Sequence, residues 1–165
     1  MGFSPQFSHH HPVSQLQLPI SSSYFSMVNV LIHTDTRYPV NRKAIRRAVV
    51  DTFKRYKIEE ITAEVSIAVI GRRKMKDLTK TYRRDEAEHE VLTFALEEVM
   101  QNQEGLPRDS QGFINVPDNI LRLGDVILCW PKVLEAAASD NIMVDEEIYR
   151  LTVHGVEHLL GEHHE

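Results

Sequence analysis

Cysteine is almost absent from this chain: Cys129 stands alone among 165 residues. One thiol excludes an internal disulfide framework and fits a reducing compartment. No apolar run approaches the roughly 20 residues that a bilayer-spanning helix requires. The first 26 residues contain no side chain charged at neutral pH. Without Lys or Arg, that stretch fits neither a secretory leader nor an organelle transit peptide. Gln6 stands where a myristoylation signal needs Ser or Thr, so no lipid anchor is expected at Gly2. The expected location is the cytoplasm, with no membrane partner.

What is present suits one globular domain preceded by a tail. Hydrophobic residues make up 42% and charged residues 26%, ordinary proportions for a soluble fold. Residues 1–26 are rich in Ser, Pro, Gln and His and offer little apolar surface to offset the entropy of ordering, so a disordered tail is expected there. Its His9, His10 and His11 can bind stray metal. The domain is expected over 27–165. Net charge is −5, but its two halves differ in sign. Residues 1–84 hold fifteen Lys and Arg against six Asp and Glu, and residues 85–165 hold four against eighteen. A basic half of this kind can lie along a phosphate backbone, although solvated helix faces give the same count.

Val28, Val30 and Ile32 alternate with polar neighbours and predict a strand. Asn41 is an N-cap before an amphipathic helix whose inner face is Ile45, Ala48, Val49, Phe53 and Tyr56, with Arg and Lys outside. Ile61 to Val69 alternates strictly and predicts a second strand, ended by Gly71. Met75, Leu78 and Tyr82 mark the inner face of a short basic helix. Val91 to Leu96 predicts a third strand. Residues 97–122, with two glycines and two prolines, predict a long connection that hangs in solvent. Val126 to Trp130 predicts a further strand with Cys129 as a core residue, and Pro131 opens a helix through Ala138. Asp145, Glu146 and Glu147 suit the start of the last helix, whose docking stripe is Val144, Ile148, Leu151, Gly155 and Leu159. This order implies an α/β sandwich, a small mixed sheet with helices packed on it.

The chemistry concentrates in His154-Gly155-Val156-Glu157-His158-Leu159-Leu160-Gly161-Glu162-His163-His164. His154 and His158 are four positions apart, which places both imidazoles on one helical face within reach of one metal ion. Gly161 offers a stop, and the turn after it can return His164 to the same ion, with His163 as a rival. A lone helical His is usually a hydrogen-bonded core or surface residue. Three at this spacing, with glycine where the helix must end, favour a metal. Three nitrogen ligands on a tetrahedral ion leave one position for water, the arrangement of a catalytic zinc site.

This run resembles the His-Gly-x-x-His-Leu-x-Gly-x-x-His signature of the YbeY family of rRNA maturation factors. Leu78 to Phe94 is similar to the family's Tyr-Arg block followed by Asp-Val-Leu-Ser-Phe, and Leu123 to Cys129 to its Leu-Gly-Asp strand. The chain departs in having His89-Glu90 and Thr93 in the second block, a long 97–122 connection, His163 where the family generally has Asp, and Glu165 where relatives usually continue. The resemblance implies a metal-dependent endoribonuclease, specific for single strands, acting in rRNA maturation and ribosome quality control on RNA and ribosomal particles. It further implies one Zn²⁺ per chain on His154, His158 and His164. The resemblance also implies that Arg83, which matches the Tyr-Arg block, takes part in cleavage, and a guanidinium can hold a phosphate through paired hydrogen bonds; a plain surface arginine is the other reading. Asp125 either borders the cleft, supports a ligand, or caps a turn, and His89 is expected to be a loop residue.

Two other readings share the spacing. Metzincin peptidases have the same His-x-x-x-His-x-x-Gly-x-x-His run but place a glutamate after the first histidine, where this chain has Gly155. Glu157 is rotated away and is a poor substitute. A noncatalytic ribosome-assembly factor with a bound metal is the third possibility.

Overall fold

The structure, a computed structural model, describes Gly2 and residues 27–96 and 120–161. The expected tail, most of the long connection, and His163 and His164 lie outside the described residues.

Strand β1 (Val28–Thr34) leads through helix α1 (Arg42–Arg55) to β2 (Ala63–Ile70). Helix α2 (Arg72–Leu78) continues into a π-helical turn (Thr79–Arg83), and β3 (Val91–Ala95) follows. Then come β4 (Leu121–Cys129), α3 (Trp130–Asp140) and α4 (Val144–Leu159). The strands form one mixed sheet in the order β1-β2-β4-β3. β1, β2 and β4 run parallel, and β3 lies antiparallel to β4. The expected α/β architecture is therefore present, and among the described residues β3 is an edge strand.

The sheet's alternation decides which helix covers which face. Ala63, Val65, Ile67 and Val69 of β2 are buried with Val126 and Leu128 of β4, under Ile45, Val49 and Phe53 of α1 and Ile148, Leu151 and Val156 of α4. Asn41 caps α1 as expected, its side chain accepting hydrogen bonds from the amides of Lys43 and Ala44 at 3.0 and 3.3 Å. The opposite face carries a smaller cluster in which Met75 of α2 packs with Leu92 and Cys129, joined by Phe94 and Ile127. Cys129 is buried, and burial pushes its thiol above the ordinary range, which makes it a core residue and a poor nucleophile.

Three expectations are corrected. β4 begins at Leu121, so Leu121 and Arg122 are strand residues and do not belong to the long connection. The alternation there was masked by a bulge: Glu64 pairs with Arg122 and Val65 with Gly124, leaving Leu123 as the extra residue. Burial then switches from Leu123 to Val126 and Leu128. Gly124 sits at φ +127, and a Cβ there would lie 2.0 Å from the Phe94 carbonyl oxygen, so only glycine fits between the paired strands. Trp130 opens α3 instead of ending the strand. Tyr82 is 65% exposed instead of facing the core. The π-helical turn adds a residue to the ladder, and the inner place falls to Thr79, whose buried hydroxyl donates to the Met75 carbonyl at 2.9 Å. The Tyr82 ring instead meets Phe94 edge-on at 5.4 Å.

α4 lies tight against the sheet at Gly155, where an added Cβ would lie 2.4 Å from Cγ1 of the fully buried Val126. Gly155→Ala is expected to cost about 1–3 kcal/mol through overpacking, only partly offset by the roughly 1 kcal/mol of helix propensity it gains. A lower denaturation midpoint at unchanged slope confirms this. A midpoint equal to or above wild type contradicts the packing described.

Candidate active site

The stripe of α4 residues that faces the sheet leaves His154 and His158 on the flank beside β3. The two rings are edge to face, with centroids 4.4 Å apart and planes at 85°. Their Nε2 atoms are 3.0 Å apart. Two imidazole nitrogens come this close either when one donates its N–H to the other or when both lone pairs serve one cation. Ligand nitrogens around a tetrahedral zinc with bonds of 2.0–2.1 Å are separated by about 3.3–3.4 Å. The pair fits such an ion after a small ring rotation. Among the described residues no group of three His, Cys, Asp or Glu is placed to hold a metal, and His164 lies outside them.

A cleft of about 380 Å³ joins this pair to the edge strand and to the segment after α2, with Arg83, Asp85, His89 and Thr93 among its lining residues. The structure thus brings Arg83 to the same cleft as His154 and His158. It does so through the π-helical turn, after which Arg84 takes a left-handed conformation at φ 54 and reverses the chain. The exposed Arg83 guanidinium donates through Nη2 to the Thr93 carbonyl at 3.2 Å. One of its five donors is thereby used to hold the side chain against β3.

His89 belongs to a loop, as expected, but it also lines the cleft. Its Nε2 lies 3.1 and 3.2 Å from the two oxygens of Asp85, which the sequence analysis did not single out. The His89 hydrogen bond holds the Asp85 carboxyl below its ordinary range, outweighing the opposing effect of partial burial. The neighbouring residue is anchored too. Glu88 pairs with Arg72 at 3.0 Å and Lys132 at 2.6 Å. Glu135 pairs with the same two cations and closes a four-charge network between α2, α3 and this loop. The only signal in sequence was four-residue spacing between Asp85 and His89, which is ambiguous outside a helix.

Asp125 does not join the cleft. It opposes Phe94 across β4 and β3, and Phe94 belongs to the apolar cluster under α2, so Asp125 lies on the opposite sheet face and in a strand, not a turn. Glu157 is also directed elsewhere, its carboxylate 2.7 Å from Arg55 of α1. That pair sits in a larger groove, about 770 Å³, which His154 also borders. Its charges largely satisfy one another: Lys132 pairs with Glu135, and Arg150 with Asp140 and Glu147. The smaller cleft holds the imidazole pair together with an arginine, which is the better arrangement for chemistry on an anion. No helix among the described residues is long and apolar enough to cross a membrane.

Comparison with known proteins places the chain in a family. The family model described as endoribonuclease YbeY matches residues 31–165. The chain is 30% identical over 139 residues to an endoribonuclease YbeY of Dehalococcoides mccartyi, spanning 84% of each protein. It is 28% identical to that of Halalkalibacterium halodurans, over 83% of this chain and 82% of the relative. With that of Caldicellulosiruptor saccharolyticus it shares 33% identity over 74% and 73%. A protein of Thermotoga maritima solved in solution is 21% identical, with a TM-score of 0.48, over 83% of this chain and 75% of that one. With a family match that spans the sheet, the Arg83 segment and the histidine run, the chain belongs to the YbeY family of endoribonucleases.

Proposed function

We propose that this protein is a metal-dependent endoribonuclease that cuts single-stranded RNA in the maturation of ribosomal RNA and in ribosome quality control. Its partners are then RNA and ribosomal particles, and its place of work is the cytoplasm. The observation that carries the reading is the imidazole pair with Nε2 atoms 3.0 Å apart in one cleft with Arg83. One Zn²⁺ would be held by His154, His158 and His164. When bound, such an ion supplies an activated water and a Lewis acid for a phosphoryl oxygen.

The protein's own residues do the rest. Arg83 is permanently charged, and its planar fork matches two phosphate oxygens, so it can seat the phosphodiester and offset the negative charge that grows as the bond is attacked. The Thr93 carbonyl restrains that fork before RNA arrives. Exposed Arg46, Lys54, Arg73 and Lys74 add positive potential for a phosphate chain, whereas Arg42 and Arg55 are engaged within the fold. The metzincin alternative needs a carboxylate next to His154. Position 155 instead meets Val126 in the core, where no acid can be placed, and Glu157 faces Arg55.

Metal content and RNA cleavage measured together test the reading. His154→Ala and His158→Ala are expected to remove about one zinc per chain and to abolish cleavage, with ion bound at His9 to His11 remaining as a common background. Arg83→Ala is expected to keep the zinc and lose about 10²–10³-fold in kcat, as the removal of one transition-state donor does. Full metal in the histidine variants, or unchanged turnover in Arg83→Ala, contradicts the proposal. The second of these outcomes, with rRNA processing intact in cells, supports the noncatalytic assembly factor instead. Glu157→Gln is expected to leave RNA cleavage within about twofold of wild type, because this carboxylate is directed to α1. Cleavage of unstructured protein that disappears in Glu157→Gln supports the peptidase.

A further inference from the structure

Hydrolysis of a phosphodiester needs a proton for the departing ribose oxygen, because an alkoxide is a poor leaving group. Neither the imidazole pair nor Arg83 is suited to give it. The former is committed to the ion in the proposed function, and a guanidinium does not release its proton. Among the described residues, the remaining titratable side chains lining the cleft are His89 and Asp85. They form one unit, with both carboxylate oxygens within 3.2 Å of Nε2.

We propose that His89, oriented by Asp85, is the general acid that protonates the leaving ribose oxygen in RNA cleavage. This rests on the nuclease reading above and assigns a role within the same cleft. As imidazolium, His89 donates Nε2–H to Asp85 and carries a second proton on Nδ1, the nitrogen that Asp85 does not engage. In the step, a water oxygen bonds to phosphorus as its proton is lost to solvent. The bond from phosphorus to the departing oxygen breaks. That oxygen takes the Nδ1 proton and leaves as an alcohol, with a phosphate monoester as the other product. The neutral imidazole regains its proton from solvent. Asp85 is a positioning residue: by holding Nε2 it selects the ring orientation that leaves Nδ1 open to the leaving oxygen.

The ion-pair network gives the loop the rigidity this role needs. Glu88, adjacent to His89, is bound to α2 through Arg72 and to α3 through Lys132. The acid is thereby held on an anchored segment within reach of β3, where a phosphate seated by Arg83 would lie.

The test uses the full chain and two RNA oligonucleotides, one ordinary and one with sulfur replacing the departing bridging oxygen, made in both 3′ and 5′ forms. A thiolate leaves without protonation, so the sulfur substrate does not need the acid. His89→Gln keeps a hydrogen bond to Asp85 but cannot deliver a proton. It is expected to lose about 10²-fold on ordinary RNA and to match wild type within a few fold on one of the sulfur-bridged forms. Asp85→Asn is expected to show a smaller loss with the same recovery. A loss of equal size on all substrates, or no loss on ordinary RNA, overturns the assignment. If wild type cuts none of them, the nuclease reading itself falls and takes this role with it.

Discussion

The contact between Gly155 and Val126 governs the rest of the site. A helix without a side chain at that position can lie closer to the sheet than one with even a methyl group. With Gly155 and Val156 turned inward, the 3.6-residue period leaves His154 and His158 on the flank beside β3. The same contact accounts for the missing glutamate after the first histidine. A carboxylate there would be driven into the core, so a site built on this packing obtains its other polar groups from outside the helix.

Those groups come from the chain between α2 and β3. The π-helical turn exposes Tyr82 and brings Arg83 over the edge strand, and the left-handed Arg84 sends the chain back past the cleft. Ion pairs to Arg72 and Lys132 then fix the loop before β3. Among the described residues β3 pairs on one side only, which leaves its other side to side chains such as that of Arg83. Exposed basic residues are carried on α1 and α2, while much of the acidic charge on α3 and α4 is matched by internal pairs.

The parts of this arrangement visible in sequence are those with a fixed period. The α4 stripe, the Asn41 cap and the alternation of β2 follow from local geometry, and each appears where its residues place it. His154 and His158 were legible for the same reason. The π-helical turn is not, since an extra residue in a helical ladder leaves no mark in composition, and a regular helical period points Tyr82 to the core face that Thr79 occupies instead. The bulge at Leu123 broke the alternation of β4 and left its first residues merged with a polar connection. For His89 the sequence indicates a loop residue and no more, because a loop histidine has no periodicity to compare, and its partner Asp85 becomes evident only when the loop folds back.

The central claim is that two imidazoles of one helical turn share an open ion across a cleft from an arginine. Anomalous diffraction at the zinc edge from crystals of the purified full chain tests it most directly. The account predicts one peak within about 2.0–2.1 Å of Nε2 of both His154 and His158, a third nitrogen from the residues after Gly161, and a fourth position held by solvent. A peak elsewhere, or an ion closed by four protein ligands, contradicts it.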